Sequence, residues 1–211
     1  SWSFPDLERR RPLIGVTGPA NALSPTLLTS GTTGTPKGTR RTISAGASDA
    51  ALGVIESIPY RQGDVMALPA PLFHAWGFSQ LVLAGSLANT VVLRRRFDPQ
   101  TTLDDMEAYG ATVLAAVPVM LHRLLEQRAA EDASGAGHSS ERDLSSLRIV
   151  ATSGSALPGE LALRWMDAFG DNLFNLYGST EVGQVSVASP HDLRSAPDTA
   201  GRTLRGVHIS V

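Results

Sequence analysis

The 211-residue chain contains no cysteine, which removes disulfide stapling, thiolate catalysis and cysteine-ligated zinc and is compatible with a reducing compartment. It also lacks an excess of either charge. Eighteen Lys and Arg against twenty Asp and Glu leave a formal net charge of −2, too little field to recruit nucleic acid or an acidic membrane. The short clusters Arg9–Arg11 and Arg94–Arg96 read as solvated turns or strand ends. No apolar run approaches the ~20 residues of a membrane span, and the opening Ser-Trp-Ser-Phe-Pro-Asp has no charged-then-apolar leader pattern. The expectation is a soluble cytoplasmic protein. Without an initiator methionine, the polar Ser1–Arg11 stretch reads as a cut end of something longer. What the chain does have is 42% hydrophobic residues, enough for a real core in one or two domains.

Its most distinctive stretch is Leu28-Thr-Ser-Gly-Thr-Thr-Gly-Thr-Pro-Lys-Gly38. Gly31, Gly34 and Gly38 allow a sharp turn and close backbone approach to an anion. Thr29, Ser30, Thr32, Thr33 and Thr35 can each donate a hydrogen bond, Pro36 stiffens the bend, and Lys37 brings a mobile positive charge. The chemistry suits a polyphosphate. It is not the common phosphate loop, which places Gly-Lys-Ser/Thr together; here Pro36 precedes the lysine and Gly38 follows it.

Along the chain, strands and helices alternate. Leu13–Val16 and Thr26–Thr29 read as short strands, the second feeding the loop. Helical spacing over Thr42–Ser57 then implies strand, loop and helix in succession, with an anion near the helix start. Further strands are expected over Asp64–Pro69, Thr90–Leu93, Thr112–Val117 and Leu147–Thr152. Helices are expected over Gln80–Leu87, after Asp98-Pro99 with Leu103, Met106 and Tyr109 on one face, after Pro118, and with Pro158 in the first turn. Ala130–Asp143, almost without apolar residues, reads as a mobile surface excursion with no function, and His138 within it as solvent-exposed. The repeated β-α pattern argues for an α/β fold with mainly parallel β-sheets covered by helices. The turn Ser153-Gly-Ser-Ala156, between strand and helix, makes a natural ledge for an adenine or acyl group.

The loop from Thr29 to Gly38 resembles the signature phosphate loop of the AMP-forming acyl-adenylating enzymes, which include acyl-CoA synthetases, acyl-AMP ligases and peptide-synthetase adenylation domains. Asn175-Leu-Tyr-Gly-Ser-Thr-Glu181 is similar to a second signature of the same superfamily. Pro71-Leu-Phe-His-Ala-Trp-Gly77 is similar to a third stretch. The resemblance implies that Lys37 and the residues from Thr29 to Gly38 hold the β- and γ-phosphates. It implies that Ser153, Gly154, Ser155 and Ala156 line the nucleotide, joined by Asn175, Leu176, Tyr177, Gly178, Ser179 and Thr180. Tyr177 would stack on adenine, Thr180 would donate to the α-phosphate or acyl carboxylate, and Glu181 would ligate Mg²⁺ between phosphates. His74, with Trp76, Gly77 and Gly154, would form the acyl pocket.

The implied reaction is ATP-dependent activation of a carboxylic acid through acyl-AMP, then thioester formation with coenzyme A, with a fatty acid as the expected substrate. Catalysis would rest on Lys37, Thr180, Glu181 and His74, with ATP and Mg²⁺ required. Alternatives are an acyl-AMP ligase loading a carrier protein and a non-catalytic nucleotide-binding fragment. The family's ribose-binding Thr-Gly-Asp and the small C-terminal domain with its lysine have no counterpart in residues 1–211, so the chain is expected to be a fragment of the large N-terminal domain. The expected partners are small molecules, with no nucleic acid and no integral membrane association. A second copy of the chain, forming a homodimer, completes the expected partners.

Overall fold

The computed structural model describes residues 26–29, 37–40, 52–133, 142–179 and 183–210. A seven-stranded sheet in the order β4-β3-β5-β6-β7-β8-β9 organises most of them. Its strands are β3 (Val65–Ala67), β4 (Thr90–Val92), β5 (Val113–Ala116), β6 (Ile149–Thr152), β7 (Leu173–Ser179), β8 (Gly183–Ala188) and β9 (Arg202–Thr203). The first five in the spatial order are parallel, while β8 and β9 are added antiparallel. A separate two-stranded sheet pairs β1 (Thr26–Thr29) with β2 (Lys37–Arg40).

Helices fill the crossovers, as parallel strands require. Residues 52–57 are helical; α1 is Ala75–Ser86, α2 Pro99–Ala108, α3 Pro118–Ala133, α4 Gly159–Phe169 and α5 Pro190–Ser195. Alternation along the strands divides the core in two. Leu114 and Val150 face one side with Leu103, Leu121 and Trp165 of α2, α3 and α4. Val113, Ala115, Ile149 and Ala151 face the other with Trp76 and Ala84 of α1. β5 and β6 are buried at every position, the mark of strands covered on both faces.

Local chemistry sets the helix starts. The Asp98 carboxylate accepts from the Thr101 N–H at 2.8 Å, with Pro99 in the first turn, a capping arrangement worth about 1 kcal/mol. Ser189 and Asp192 form a reciprocal capping box at α5, an element with no counterpart among the expected helices.

Four expectations are corrected. β2 follows the phosphate loop and pairs Lys37 with Thr29, so a strand that was not expected stands between the loop and the expected helix; Lys37–Arg40 lacks apolar alternation and gains its strand character from pairing with β1. Tyr109 is exposed, whereas Leu103 and Met106 are buried, because the chain leaves the helix at that residue. Pro158 stands one residue outside α4 as its N-cap. The expected excursion is ordered at both ends: α3 runs to Ala133, and the Arg142 side chain, only 7% exposed, pairs with Asp104, Glu107 and Glu131. Residues 13–16, the start of the helix expected over Thr42–Ser57, and His138 lie outside the described residues.

The amino ends of the strands share a polar anchor. Asp64, which is 5% exposed, precedes β3 and accepts from the Arg61 N–H at 2.7 Å, the Thr112 hydroxyl at 2.8 Å and the Arg148 guanidinium at 2.7 Å. Thr112 and Arg148 stand immediately before β5 and β6, so one carboxylate ties three strand starts together. Burial raises the Asp64 pKa, but these donors outweigh it and hold the carboxyl below its usual range.

Candidate functional site

In this sheet the chain reverses direction between β3 and β5. From β3 it goes through α1 to the edge strand β4, then returns through α2 to β5 on the other side of β3. α1 packs on one face of the sheet, and α3, which follows β5, packs on the opposite face. The connections leaving the carboxyl ends of β3 and β5 therefore diverge, the arrangement that leaves a crevice for ligands in open α/β sheets. The turn after β6 and the end of β7 continue the same edge.

Three expected site segments converge on this edge. His74 is the N-cap of α1, with extended backbone and no side-chain cap bond. Its ring is exposed and lies 4.5 Å from that of Phe73, which is 76% exposed. Two residues on, Trp76 is buried and its Nε1–H donates to the Ala116 carbonyl at 3.0 Å, linking α1 to the last residue of β5. Gly77 is required by close approach: a Cβ there would strike the carbonyl oxygens of Ala70 and Pro71.

The second segment follows β6. Ser153 is buried, while Gly154, Ser155 and Ala156 are exposed. Gly154 has φ +92°, a conformation open to glycine at little cost, and a Cβ on it would lie 3.4 Å from Val117. The chain of neighbours Gly154, Val117, Ala116 and Trp76 thus joins the two turns across the crevice. The Thr152 hydroxyl just before this turn is fully buried and has no hydrogen-bond partner among the described residues. Such an orphan at a strand end is a free donor beside the candidate ledge. Sequence reasoning did not single it out, because nothing in Ile-Val-Ala-Thr sets its threonine apart.

The third segment is β7. Asn175 and Leu176 are buried, whereas Tyr177 is 57% exposed at the carboxyl end, with Gly178 half-buried and Ser179 exposed beyond it. Gly178 faces the Gly183 carbonyl so closely that no side chain fits. Three strand spacings, roughly 14 Å, separate β3 from β7, so the His74 turn and Tyr177 flank an elongated edge.

Ser30 to Pro36, Thr180 and Glu181 lie outside the described residues. Their flanks are described: Thr29 pairs with Lys37, and Ser179 pairs with Gly183. At the carboxyl end of β4, the sequence also passed over Arg95 and Arg96 as a solvated cluster. Both are exposed and without ion pairs among the described residues, while Arg94 makes a bidentate pair with Asp105 at 2.6 and 2.7 Å. Among the described residues, no helix is long and apolar enough to cross a membrane, and no group of three or more His, Asp or Glu could hold a metal ion.

A parallel sheet with helices on both faces, a reversal of chain direction and glycine-shaped turns at the carboxyl edge define a ligand-binding α/β domain. Comparison makes the class specific. The AMP-binding enzyme profile matches residues 15–211, and the chain belongs to that family. It is 34% identical over 179 residues to indoleacetate–CoA ligase of Aromatoleum aromaticum, covering 82% of this chain and 32% of the relative. It is 29% identical over 192 residues to 2-succinylbenzoate–CoA ligase of Bacillus pumilus, covering 90% and 37%. Among solved structures, o-succinylbenzoate CoA synthetase of Bacillus subtilis with its acyl-adenylate intermediate superposes with a TM-score of 0.70 at 29% identity, covering 85% of this chain and 34% of that one. The same enzyme with ATP and magnesium ion gives 0.68 at 29% identity. The chain spans about a third of the length of these relatives.

Proposed function

We propose that this chain is the ATP- and acid-binding part of an AMP-forming acid–thiol ligase. The full-length enzyme would join a carboxylic acid to AMP with release of pyrophosphate, then transfer the acyl group to coenzyme A. The observation that carries the reading is the crevice at the reversal between β3 and β5, bordered by the exposed His74 turn, the Gly154 turn and Tyr177, in a chain of the AMP-binding family. A nucleotide fits the groups present. Tyr177 offers a ring face for adenine, and the open turn at Gly154 offers backbone groups without side chains in the way. Thr29 to Gly38 would receive the β- and γ-phosphates, and Glu181 would hold Mg²⁺, which neutralises phosphate charge when bound. Because the substrate carboxylate is itself the nucleophile, the protein needs only to orient it toward the α-phosphate and to balance charge. His74 and the α1 N-terminus would face the acid.

The fatty acid expected from sequence draws no support from relatives named for indoleacetate and 2-succinylbenzoate, so the reading is carried at the level of a carboxylic acid. Acid-dependent exchange of pyrophosphate into ATP by the full-length protein tests the first step, and thioester formation with coenzyme A against a carrier protein tests the acceptor. Transfer of the γ-phosphate without AMP formation would overturn the proposal.

A further inference from the structure

α3 and α4 lie side by side on one face of the sheet, and each carries the chain back between successive parallel strands, β5 to β6 and β6 to β7. They therefore run in the same direction. Between their outer surfaces is a groove whose lining includes Arg128, Ala129 and Asp132 of α3 and Arg164, Asp167 and Ala168 of α4. Each helix presents its arginine before its aspartate, so both guanidinium groups stand toward one end of the groove and both carboxylates toward the other. Arg128 lies over the Phe169 ring at 4.5 Å, Arg164 is exposed, and neither makes an ion pair among the described residues. At the opposite end Arg194 pairs with Asp167 at 2.6 Å and with Asp171 at 2.7 Å. Three carboxylates there meet one guanidinium, and the end remains acidic. The alanines place nothing bulky between the charged ends, so a second pair of helices can approach closely.

We propose that the α3–α4 groove is a self-complementary docking face for a second copy of this chain. A two-fold axis lying across the helices sets α3 against α3 and α4 against α4 in antiparallel pairs. Arg164 then faces Asp167 of the partner subunit, and Arg128 faces Asp132 of the partner subunit. Symmetry makes each contact twice. Parallel apposition would set arginine on arginine and is opposed by charge. The face is also the one left open in a longer protein: the exposed apolar side chains Leu52 and Val82 belong to the helices on the other side of the sheet, where further chain would cover them. α3 has 16 residues and spans about 24 Å. A patch two helices wide at that length falls below the roughly 800 Å² per partner of a standard interface, so the dimer is reversible and weakened by salt.

The test is sedimentation velocity of the full-length protein over micromolar concentrations, in about 0.05 and 0.5 M salt, with melting temperatures recorded for every variant. The parent is expected to show a monomer–dimer equilibrium whose Kd rises at the higher salt. Arg164→Asp and Asp167→Arg should each raise the Kd at least about tenfold, because repulsion replaces attraction at both symmetry-related contacts. Arg164→Asp combined with Asp167→Arg should return the Kd to within about threefold of the parent, since the reversed pattern is again self-complementary. A parent that stays monomeric throughout, as it would if the groove received a different macromolecule, overturns the proposal. A dimer unmoved by salt or by either single reversal overturns it as well, and so does a folded double variant no tighter than the single ones.

Discussion

Lys37 and Glu181 carry the charge chemistry expected of the site, and each stands beside a strand pair: Lys37 is the first residue of β2, and Glu181 lies between the paired Ser179 and Gly183. Lys37→Ala in the full-length enzyme should slow acid-dependent pyrophosphate exchange by roughly one to two orders of magnitude, the scale of losing one electrostatic stabiliser; unchanged exchange would remove the lysine from the reaction. Glu181→Gln should move the Mg²⁺ dependence of exchange to higher concentration, and superimposable metal titrations of variant and parent would refute the assignment. That the segments bearing His74, Gly154 and Tyr177 follow strand ends was legible in the sequence, because an apolar run before each of them gives way to small, proline or polar residues. Thr152 was not, since a threonine in an apolar strand acquires meaning only from what surrounds it in space.

Among the elements, α1 depends most on one residue. Gly77 sits where the helix meets the Ala70 and Pro71 carbonyls, so Gly77→Ala must push α1 off the turn or bend it. The expected cost is about 2 kcal/mol, or roughly 4–8 °C of melting temperature at this size, read by thermal denaturation. An unshifted transition would show that the close approach is absent in solution. Strands and helices with local signals were legible: Asp98-Pro99 announces α2, and the apolar runs of β5 and β6 announce buried strands. Elements defined by pairing were not. β2 and β9 lack any apolar alternation, and β8 is a strand because β7 and β9 hydrogen-bond to it. The clamp of Arg142 on Glu131 joins residues eleven apart across a polar stretch, and polarity alone suggested only a surface excursion.

At the scale of the whole molecule, the Asp64 anchor couples stability to pH. Its carboxyl titrates below the usual value in the folded protein, so the folded state favours the ionised form. The stabilisation is complete above the ordinary carboxylate range and is lost as pH falls through that range toward the depressed folded value. Asp64→Asn should lower the unfolding free energy at neutral pH by about 3 kcal/mol, because Arg148 would be left without its partner. The difference from the parent should shrink on acidification, as urea titrations at pH 7 and pH 3 would measure. A constant difference across that interval would place the stabilisation elsewhere.

The anchor of Asp64, Thr112 and Arg148 stands at one end of the strands, and the crevice with Trp76 and His74 stands at the other. The pH-dependent anchor and the proposed ligand site consequently draw on separate, non-overlapping sets of side chains. Thermal hardening can be sought around Asp64 without touching the proposed ligand site, and substitutions made at the two ends are expected to combine additively.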